Sequence, residues 1–431
     1  MEEPFIRMSL SVPRENCQHC DPVIGHPLHI SERVESFLSP SQRILAPVEQ
    51  ALKRRFPNFS RALNRIIFLG FFRILLIVGA LKEIEVLDGD ESLHSRALVI
   101  IQAARQRGFP VKVLKLFGKK STNFFSIKIN ERKIFFEGLP TAEIAWVPEV
   151  DFDDKWILKQ ILKSHALPYA EGEYFRNVKA AICFAKRIGF PLVVKPRSGS
   201  LSKHTTCDIG DESTLEKAIR IAKIISSELM VEKFIEGGVY RITLVNHNVV
   251  ACCRREAPNV IGDGVRSIKD LIKIKNEHPL RGEGYKSNFT LHKIALTESS
   301  SALLASQGFT LDSILSKGDK AYLHNKIILA CGADIHDKTE ELHPDNKALF
   351  QKISHLCGAP LIGIDFICRD ISQSYRQQEC AVIEANSLPC IDMHHYPVSG
   401  KPRDVAGQIV DFVASGLPNT PYPDVPGALE K

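Results

Sequence analysis

Two apolar runs near the carboxyl end of the chain, residues 360–368 and 381–384, predict two buried strands joined by a polar loop. Asp365 lies inside the first run, and Glu384 and Asn386 stand two apart at the end of the second. Side chains two apart in an extended chain point to the same side, so Glu384 and Asn386 share one face. Two carboxylates and an amide carbonyl suit Mg²⁺, although an edge hairpin with acids facing water is the simpler reading of each residue alone.

The amino-terminal part of the chain has a different pattern. Residues 41–81 have helical spacing, and residues 65–81 are their most apolar portion, with Arg73 in the middle. A membrane span needs about twenty uninterrupted apolar residues, so this segment predicts a buried or interfacial helix, such as a contact between copies in a homo-oligomer, and no membrane span. The alternative is a membrane-associated scaffold protein organised by this segment.

The remaining elements alternate between helices and short strands, which predicts an α+β fold. Residues 97–104 and 109–117 predict a helix and a strand, and residues 124–136 predict a hairpin that turns at Asn130 and Glu131. From position 151 onward, helices are predicted at residues 153–162, 179–187, 215–226, 268–276, 345–357 and 404–415. Strands are predicted at residues 192–195, 229–234, 240–246 and 249–254, followed by a polar insertion at 259–320.

Lys195 stands at the end of a predicted strand and is followed by a turn rich in Gly and Ser, residues 196–203. Small residues let backbone N–H groups approach an anion, and the lysine ammonium neutralises it, so the turn suits a phosphate cradle. The segment matches neither of the two common glycine-rich phosphate-binding motifs, and most turns of this composition are only turns.

Composition places the chain among ordinary globular proteins, with 431 residues, 44% hydrophobic residues and 25% charged residues. The net charge of +6 comes without a block of Lys and Arg, which argues against nucleic acid as a partner. Eleven cysteines, an odd number, stand mostly in apolar segments and predict reduced thiols in a cytoplasmic protein. The amino terminus carries acids and has no apolar core, so no secretion signal is predicted.

Residues 1–40 and 417–431 predict flexible tails, the first rich in Pro, His and Ser and the second rich in Pro. The first contains a CxxC followed by two histidines, which offers an alternative, a zinc site formed by Cys17, Cys20, His26 and His29. Their spacing matches no common zinc finger. Residues 41–150 predict a small helical and α/β domain, and residues 151–416 predict a second domain.

Four segments of this second domain, taken in order, resemble the ATP-grasp ligase superfamily. They are VVKPRSGS at 193–200, VEKFIEGGVYRITLV at 231–245, residues 254–284, and GIDFI at 363–367 with residues 383–412. Within the superfamily they are most similar to the ATP-grasp domain of cyanophycin synthetase, which also occurs in bifunctional glutathione synthetases. The resemblance implies an ATP-grasp fold, two α+β lobes holding ATP between them, preceded by a smaller α/β domain with a helical segment.

The resemblance also implies roles for individual residues. Lys195 and Arg241 correspond to catalytic residues near the phosphates, and Lys155, with Lys159 as its rival, corresponds to the first nucleotide-binding lysine. The remaining nucleotide-binding residues implied are Ser198, Gly199, Ser200, Glu232, Lys233, Phe234 and Ile235. The magnesium ligands implied are Asp365, Glu384 and Asn386, and the substrate contacts are Arg255, His394, His395 and Arg403.

The implied activity is that of an ADP-forming carboxylate–amine ligase with ATP and Mg²⁺, or Mn²⁺, as cofactors and small amino acids or peptides as substrates. The chain has no Mur-ligase-like module, so it is not expected to be a full cyanophycin synthetase. Val239 stands where many relatives have an acid that holds the ribose, and Glu236 is the candidate to replace it. An ATP-binding module without catalysis therefore stays open as an alternative.

Overall fold

The computed structural model describes residues 79–86, 91–116, 119–129, 132–140, 152–197, 204–284 and 286–415. Both predicted tails, the zinc candidates, most of the predicted helix at 41–81 and the three loop residues Ser198, Gly199 and Ser200 lie outside these ranges. Within them the chain forms two compact units, residues 172–234 and the remainder. Both units combine helices with antiparallel sheets, which confirms the predicted α+β class.

An antiparallel sheet of five strands opens the larger unit, with the strands in sequential order. Its strands are β1 (Leu81–Glu85), β2 (Val111–Leu116), β3 (Lys119–Ile129), β4 (Arg132–Glu137) and β5 (Leu139–Pro140). Helix α1 (Ser95–Gln106) buries Ala97, Ile100 and Ala104 in the core of this sheet. The predicted helix, strand and hairpin are confirmed, because Ile129 pairs with Arg132 across Asn130 and Glu131.

The prediction that helical structure continues to Leu81 is wrong. Gly79 has a φ of 71°, which lies outside the helical region, and the backbone of Leu81 pairs with Leu116 of β2. Pairing with a strand that stands about thirty positions further on overrides the local helical pattern.

Helix α2 (Lys155–Ser164) begins and ends two residues later than the helix predicted at 153–162, and Asp154 is its N-cap. The Asp154 carboxylate accepts hydrogen bonds from the N–H groups of Trp156 at 2.8 Å and Ile157 at 3.3 Å, satisfying two of the unpaired donors of the first turn. The helix packs on the last strand of the central sheet described below. The cap therefore fixes where Lys155, the first residue of the helix, lies.

The smaller unit is a four-stranded antiparallel sheet, in the order β6-β9-β7-β8, with two helices. Its elements are β6 (Gly172–Phe175), α3 (Val178–Ile188), β7 (Leu192–Pro196), β8 (Thr206–Ile209), α4 (Glu212–Lys223) and β9 (Leu229–Lys233). Asn177 and Asp211 cap the two helices, and Phe184, Leu215 and Ile219 belong to the core. Each predicted element is present, although α4 ends at Lys223 and leaves Ser226 outside it.

A second five-stranded antiparallel sheet, the central sheet, carries the candidate site in the larger unit. In sheet order its strands are β16 (Asp334–Asp337), β11 (Asn248–Glu256), β10 (Gly238–Val245), β17 (Leu361–Cys368) and β18 (Cys380–Asn386). Ile242, Ile364 and Phe366 point to the apolar face, where they pack with helix α7 (Pro344–Leu356). The opposite face carries polar side chains, and helix α8 (Val405–Ala414) packs near one end of it.

The polar insertion forms a small subdomain in the larger unit. Its elements are β12 (Asn259–Ile261), α5 (Ile268–Asn276), β13 (Arg281–Gly282), β14 (Leu291–His292), α6 (Glu298–Ser306) and β15 (Lys320–Tyr322). Helix α5 has the predicted bounds, and β12 pairs with β15. Apolar residues including Val260, Ile268 and Leu304 give the insertion a core of its own. Among the described helices of the whole chain, none has the length and apolar character needed to cross a membrane.

Candidate active site

Charged side chains form a row across the polar face of the central sheet. Arg241 on β10 is the register partner of Asp365 on β17, and Asp365 is the partner of Glu384 on β18. Thr243 and Asn386 stand one step along the same face, where both are paired with Gly363. The sheet therefore brings the three predicted metal ligands and the predicted catalytic arginine onto one face.

Asp365 is the centre of this row and is 3% exposed. Its carboxylate accepts hydrogen bonds from Arg241 and, at 2.6 Å, from Arg255. Burial alone would raise the pKa of Asp365, but the positive charges of the two arginines hold it below its usual range. In the same way, burial acts to lower the pKa of Arg241, and the attraction of Asp365 more than offsets it. Asp365 and Arg241 are therefore both charged near neutral pH.

The structure separates the two candidates for the first nucleotide-binding lysine. Lys155 lies beside the row, with its Nζ 3.6 Å from Oε1 of Glu384. Lys159 is buried and donates a hydrogen bond of 2.7 Å to the carbonyl of Ala170. Lys155 thus contacts the predicted metal site, whereas the ammonium of Lys159 is held by the backbone.

Two of the predicted nucleotide-binding residues in the smaller unit, Lys195 and Glu232, form a second charged pair. Lys195 Nζ on β7 lies 2.6 Å from Oε2 of Glu232 on β9, and both side chains are largely buried. The Lys233 ammonium donates to the carbonyls of Gly189 and Phe190 at 3.3 Å each. The two lysines therefore differ, because Lys195 faces a carboxylate on the sheet while Lys233 stabilises the turn before β7.

The four predicted substrate contacts divide into two pairs. Arg403 holds Asp337 through contacts of 2.6 and 3.0 Å, and His395 Nε2 accepts a hydrogen bond from the backbone N–H of Ala406 at the start of α8. Arg255 and His394 instead lie at the row. His394 Nε2 is 2.8 Å from the Thr243 hydroxyl, while Nδ1 of His394 is buried without a hydrogen-bond partner in the described chain.

His394 is neutral in the folded protein. Burial, reinforced by the charge of Arg241, lowers the pKa of His394 to about 3, compared with about 6.5 for an unperturbed histidine. Below pH 6.5 the unfolded chain therefore binds a proton that the folded chain does not bind. The contribution of His394 to stability is complete above pH 6.5 and falls as the pH decreases toward 3.

We therefore expect that the free energy of unfolding falls by about 2 kcal/mol between pH 7.5 and pH 5.0 because of His394 alone. Urea unfolding of the wild type and of His394→Gln at both pH values measures this contribution as the difference between their pH dependences. The glutamine variant lacks the titrating group, so its stability is expected to change less. Equal changes in the two proteins would contradict the assignment.

A second charged cluster, which the sequence did not reveal, joins the insertion to the central sheet. Glu256, Asp334 and His336 offer ligand atoms within 4.8 Å of one another, which is a spacing that a metal ion could use. Asp334 already accepts from Arg281 and, at 2.5 Å, from Lys275, and Glu256 accepts from Lys320 at 2.7 Å. Ion pairs with three cations of the insertion therefore hold these two carboxylates of the central sheet, and we describe the cluster as an ion-pair network.

The chain has relatives among known proteins. No model of a protein family matches the chain. The chain is 34% identical over 263 residues to a cyanophycin synthetase of Trichormus variabilis, which covers 60% of this chain and 29% of that protein. It is 28% identical over 329 residues to a glutathione biosynthesis bifunctional protein of Clostridium perfringens, covering 75% and 42% of the two proteins.

A solved structure supports the same relationship. The bifunctional glutathione synthetase of Pasteurella multocida aligns with a TM-score of 0.61 and 27% identity, covering 76% of this chain and 45% of that one. The chain thus spans less than half the length of each of these three relatives. The covered part is the ATP-grasp region, so the resemblance and the ATP-grasp fold inferred from the sequence are confirmed.

Proposed function

We propose that this chain is an ATP-dependent ligase that joins a carboxylate to an amine through an acylphosphate, releasing ADP and phosphate. The observation that carries the proposal is the row of Arg241, Asp365 and Glu384 across three adjacent strands. Ligases that have the ATP-grasp fold need a metal and cations beside the transferred phosphate. The row offers carboxylates that can bind the metal and an arginine that can contact the phosphate. The similarity to cyanophycin and glutathione synthetases supports the same reaction class.

Mg²⁺ fits the donor set on this face. Asp365 is ionised, Glu384 is its direct neighbour across the strands, and Asn386 adds an amide group, so the oxygen ligands are those that a hard cation prefers. The Nδ2 of Asn386 is buried without a hydrogen-bond partner in the described chain. Asp365, Glu384 and Asn386 would hold Mg²⁺, or Mn²⁺ in its place, and the bound ion would supply positive charge that offsets the charge of the phosphates.

The residues of this chain would position and stabilise the reactants. A substrate carboxylate oxygen attacks the γ-phosphorus of ATP, and the bond to the β-phosphate oxygen breaks to release ADP. The amine nitrogen then attacks the acyl carbon of the acylphosphate, phosphate leaves from that carbon, and the nitrogen loses a proton as the amide forms. Arg241 is charged and is held in place by Asp365, so it can offset negative charge as the phosphoryl group transfers without reorganising. No protein nucleophile is required for either step.

We assign the remaining nucleotide contacts by the same resemblance. Lys195 and Lys155 would bind phosphates, the loop containing Ser198, Gly199 and Ser200 would cover them, and the backbone of residues 232–235 would read the adenine. The burial of Lys195 against Glu232 keeps the ammonium on the sheet, where it would be preorganised for an anion. The substrates are small amino acids or peptides, and the relatives' own products are not assigned to this chain.

We also propose that the enzyme works in a reducing compartment such as the cytoplasm. Nine cysteines lie in the described ranges and five of them are buried; among these five, Cys252, Cys253 and Cys368 are thiols outside any disulfide. Buried thiols in β11 and β17, the two strands that flank β10, fill the core as small apolar groups, and burial raises the pKa of each of these three thiols. They are therefore poorly reactive.

A module that binds ATP without catalysis is the second candidate. It is favoured by the position of Val239, where relatives carry an acid, and by the engagement of Glu236, the suggested replacement, with Arg369 at 3.0 Å. Under this alternative Mg²⁺-dependent ATP binding persists, while no substrate mixture causes ADP release. The ligase proposal predicts that a suitable substrate mixture causes ADP release in the same assay.

The test is incubation of the full chain with Mg-ATP and pooled amino acids and dipeptides, followed by nucleotide analysis and mass spectrometry. We expect ADP and phosphate to accumulate together with a product whose mass is that of two pool members minus one water. Omitting the pool provides the control for simple ATP hydrolysis. Release of AMP and pyrophosphate would refute an acylphosphate route, and ATP binding with no ADP release from any pool would favour the binding module.

A further inference from the structure

Asp392, on the turn that follows β18, is a buried carboxylate with one unpaired oxygen. It is 5% exposed, and its Oδ2 accepts hydrogen bonds of 2.6 Å from the hydroxyls of Ser95 and Thr290. Its Oδ1 is also buried but has no hydrogen-bond partner in the described chain. Leaving a buried carboxylate oxygen unpaired is costly, so a donor that belongs to another molecule is the expected partner.

Three distant segments of the larger unit build the surroundings of Asp392. Ser95 is the first residue of helix α1, Thr290 directly precedes β14, and Asp392 begins the short 3₁₀ turn Asp392–His394. His292 on β14 adds a second buried atom without a partner, Nδ1, while its Nε2 is 3.1 Å from the carbonyl of Lys286. Because Nε2 of His292 donates to this carbonyl, its Nδ1 is an acceptor, as Oδ1 of Asp392 is. Both residues act on the charge of His94, so the two unpaired acceptors belong to one polar region.

This region borders the row on the central sheet. Cys390, two residues before Asp392, lies near Asp392 and near the arginines of the row. Burial and Asp392 raise the pKa of its thiol, while Arg241 and Arg255 lower it. The Nε of Arg255 is a further buried donor without a partner. Asp392 also shares the turn Asp392–His394 with His394, whose Nε2 is 2.8 Å from Thr243 on the face that carries the row. A carboxylate and the arginines of the row thus lie near one another, and these are the charges that attract the ammonium and the carboxylate of an amino acid.

We propose that Oδ1 of Asp392 binds the ammonium group of an amino-acid or peptide substrate. The inference rests on the proposed ligase function and adds a residue that recognises the substrate, because Asp392 would hold the protonated primary amine of a molecule whose carboxylate end the arginines attract. Ser95 and Thr290 are positioning residues, because their hydrogen bonds to Oδ2 orient the carboxylate and leave Oδ1 for the ligand.

The test compares amino acids with analogues that lack the α-amino group. Isothermal titration calorimetry of the full chain, saturated with Mg-ADP, is performed with L-aspartate and succinate, L-glutamate and glutarate, L-alanine and propionate, and L-lysine and 6-aminohexanoate. In the wild type we expect at least one amino acid to bind about 10- to 100-fold more tightly than its analogue. In Asp392→Asn that ratio is expected to fall to about one by the same reasoning.

Two further variants keep the result interpretable. Thr290→Val removes one hydrogen bond to Oδ2 without altering Oδ1, so we expect it to retain part of the discrimination; this variant decides the outcome if Asp392→Asn does not fold. Asp312→Asn changes an exposed carboxylate on the insertion and is expected to retain all of it. Unchanged discrimination in both Asp392→Asn and Thr290→Val would overturn the inference, as would the failure of every amino acid to bind better than its analogue.

Binding of Mg-ADP itself separates the two proposals. If the wild type does not bind Mg-ADP, the proposed ligase function fails together with the role of Asp392. If Mg-ADP binds and the amine makes no difference, only the role of Asp392 fails.

Discussion

Glu384→Gln is expected to reduce Mg²⁺-dependent ADP release by at least about 100-fold, while the fold is retained. The substitution keeps the size of the side chain and its place opposite Asp365, but it removes one of the two carboxylate charges that we assign to the metal. It also removes the partner of Lys155, whose Nζ lies 3.6 Å from the Glu384 carboxylate. The measurement is the initial rate of ADP release as a function of Mg²⁺ concentration.

Glu379→Gln is the matched control for this variant. Glu379 is an exposed residue of the loop between β17 and β18, so the same change in charge occurs near the same strands without touching the row. Its rate and magnesium dependence are expected to equal those of the wild type. Undiminished activity of Glu384→Gln, together with an unchanged requirement for Mg²⁺, would show that the metal is held elsewhere.

The largest effect on stability is expected from Asp334→Ala. Asp334 is 3% exposed and compensates Arg281 and Lys275, so its removal leaves two positive charges near each other with little solvent. Breaking a buried ion pair by removing one partner costs about 3 to 5 kcal/mol, because the remaining charge is buried without compensation. Urea unfolding followed by circular dichroism should show a decrease of this size in the free energy of unfolding.

The location of the effect can be tested as well. Hydrogen exchange is expected to accelerate first in the insertion, at β12 and α5, since Lys275 and Arg281 belong to it and Asp334 belongs to the central sheet. Asp312→Ala, which removes an exposed carboxylate of the same insertion, is expected to change stability by less than about 0.5 kcal/mol. A similar loss in both variants would mean that the network contributes no more than an ordinary surface charge.

Local patterns predicted the elements of this fold well. Apolar runs located the β17–β18 hairpin, and helical spacing at residues 153–162 located α2 to within two residues. Spacing within one strand also predicted that Glu384 and Asn386 share a face. Each of these features depends on residues close in sequence, where the geometry of a strand or a helix end determines the outcome.

Contacts between distant segments could not be obtained in this way. The pairing of Arg241 with Asp365 joins positions 124 apart and depends on the register of two strands, and Ser95 reaches Asp392 across 297 positions. For the same reason the sequence could not show that Asp337 holds Arg403 or that His395 accepts a hydrogen bond from the start of α8. Register and packing between remote elements decide such partners.

Strand β11 gives the insertion a direct mechanical connection to the row of charges. Arg255 and Glu256 are consecutive residues whose side chains point to opposite faces of the sheet, and the first holds Asp365 while the second holds Lys320 of the insertion. Lys320 on β15 and Asp365 at the centre of the row therefore contact neighbouring residues of the same strand. We therefore expect a change in the conformation of the insertion to shift Glu256 and, with it, Arg255. The insertion would in this way affect the site without contacting it.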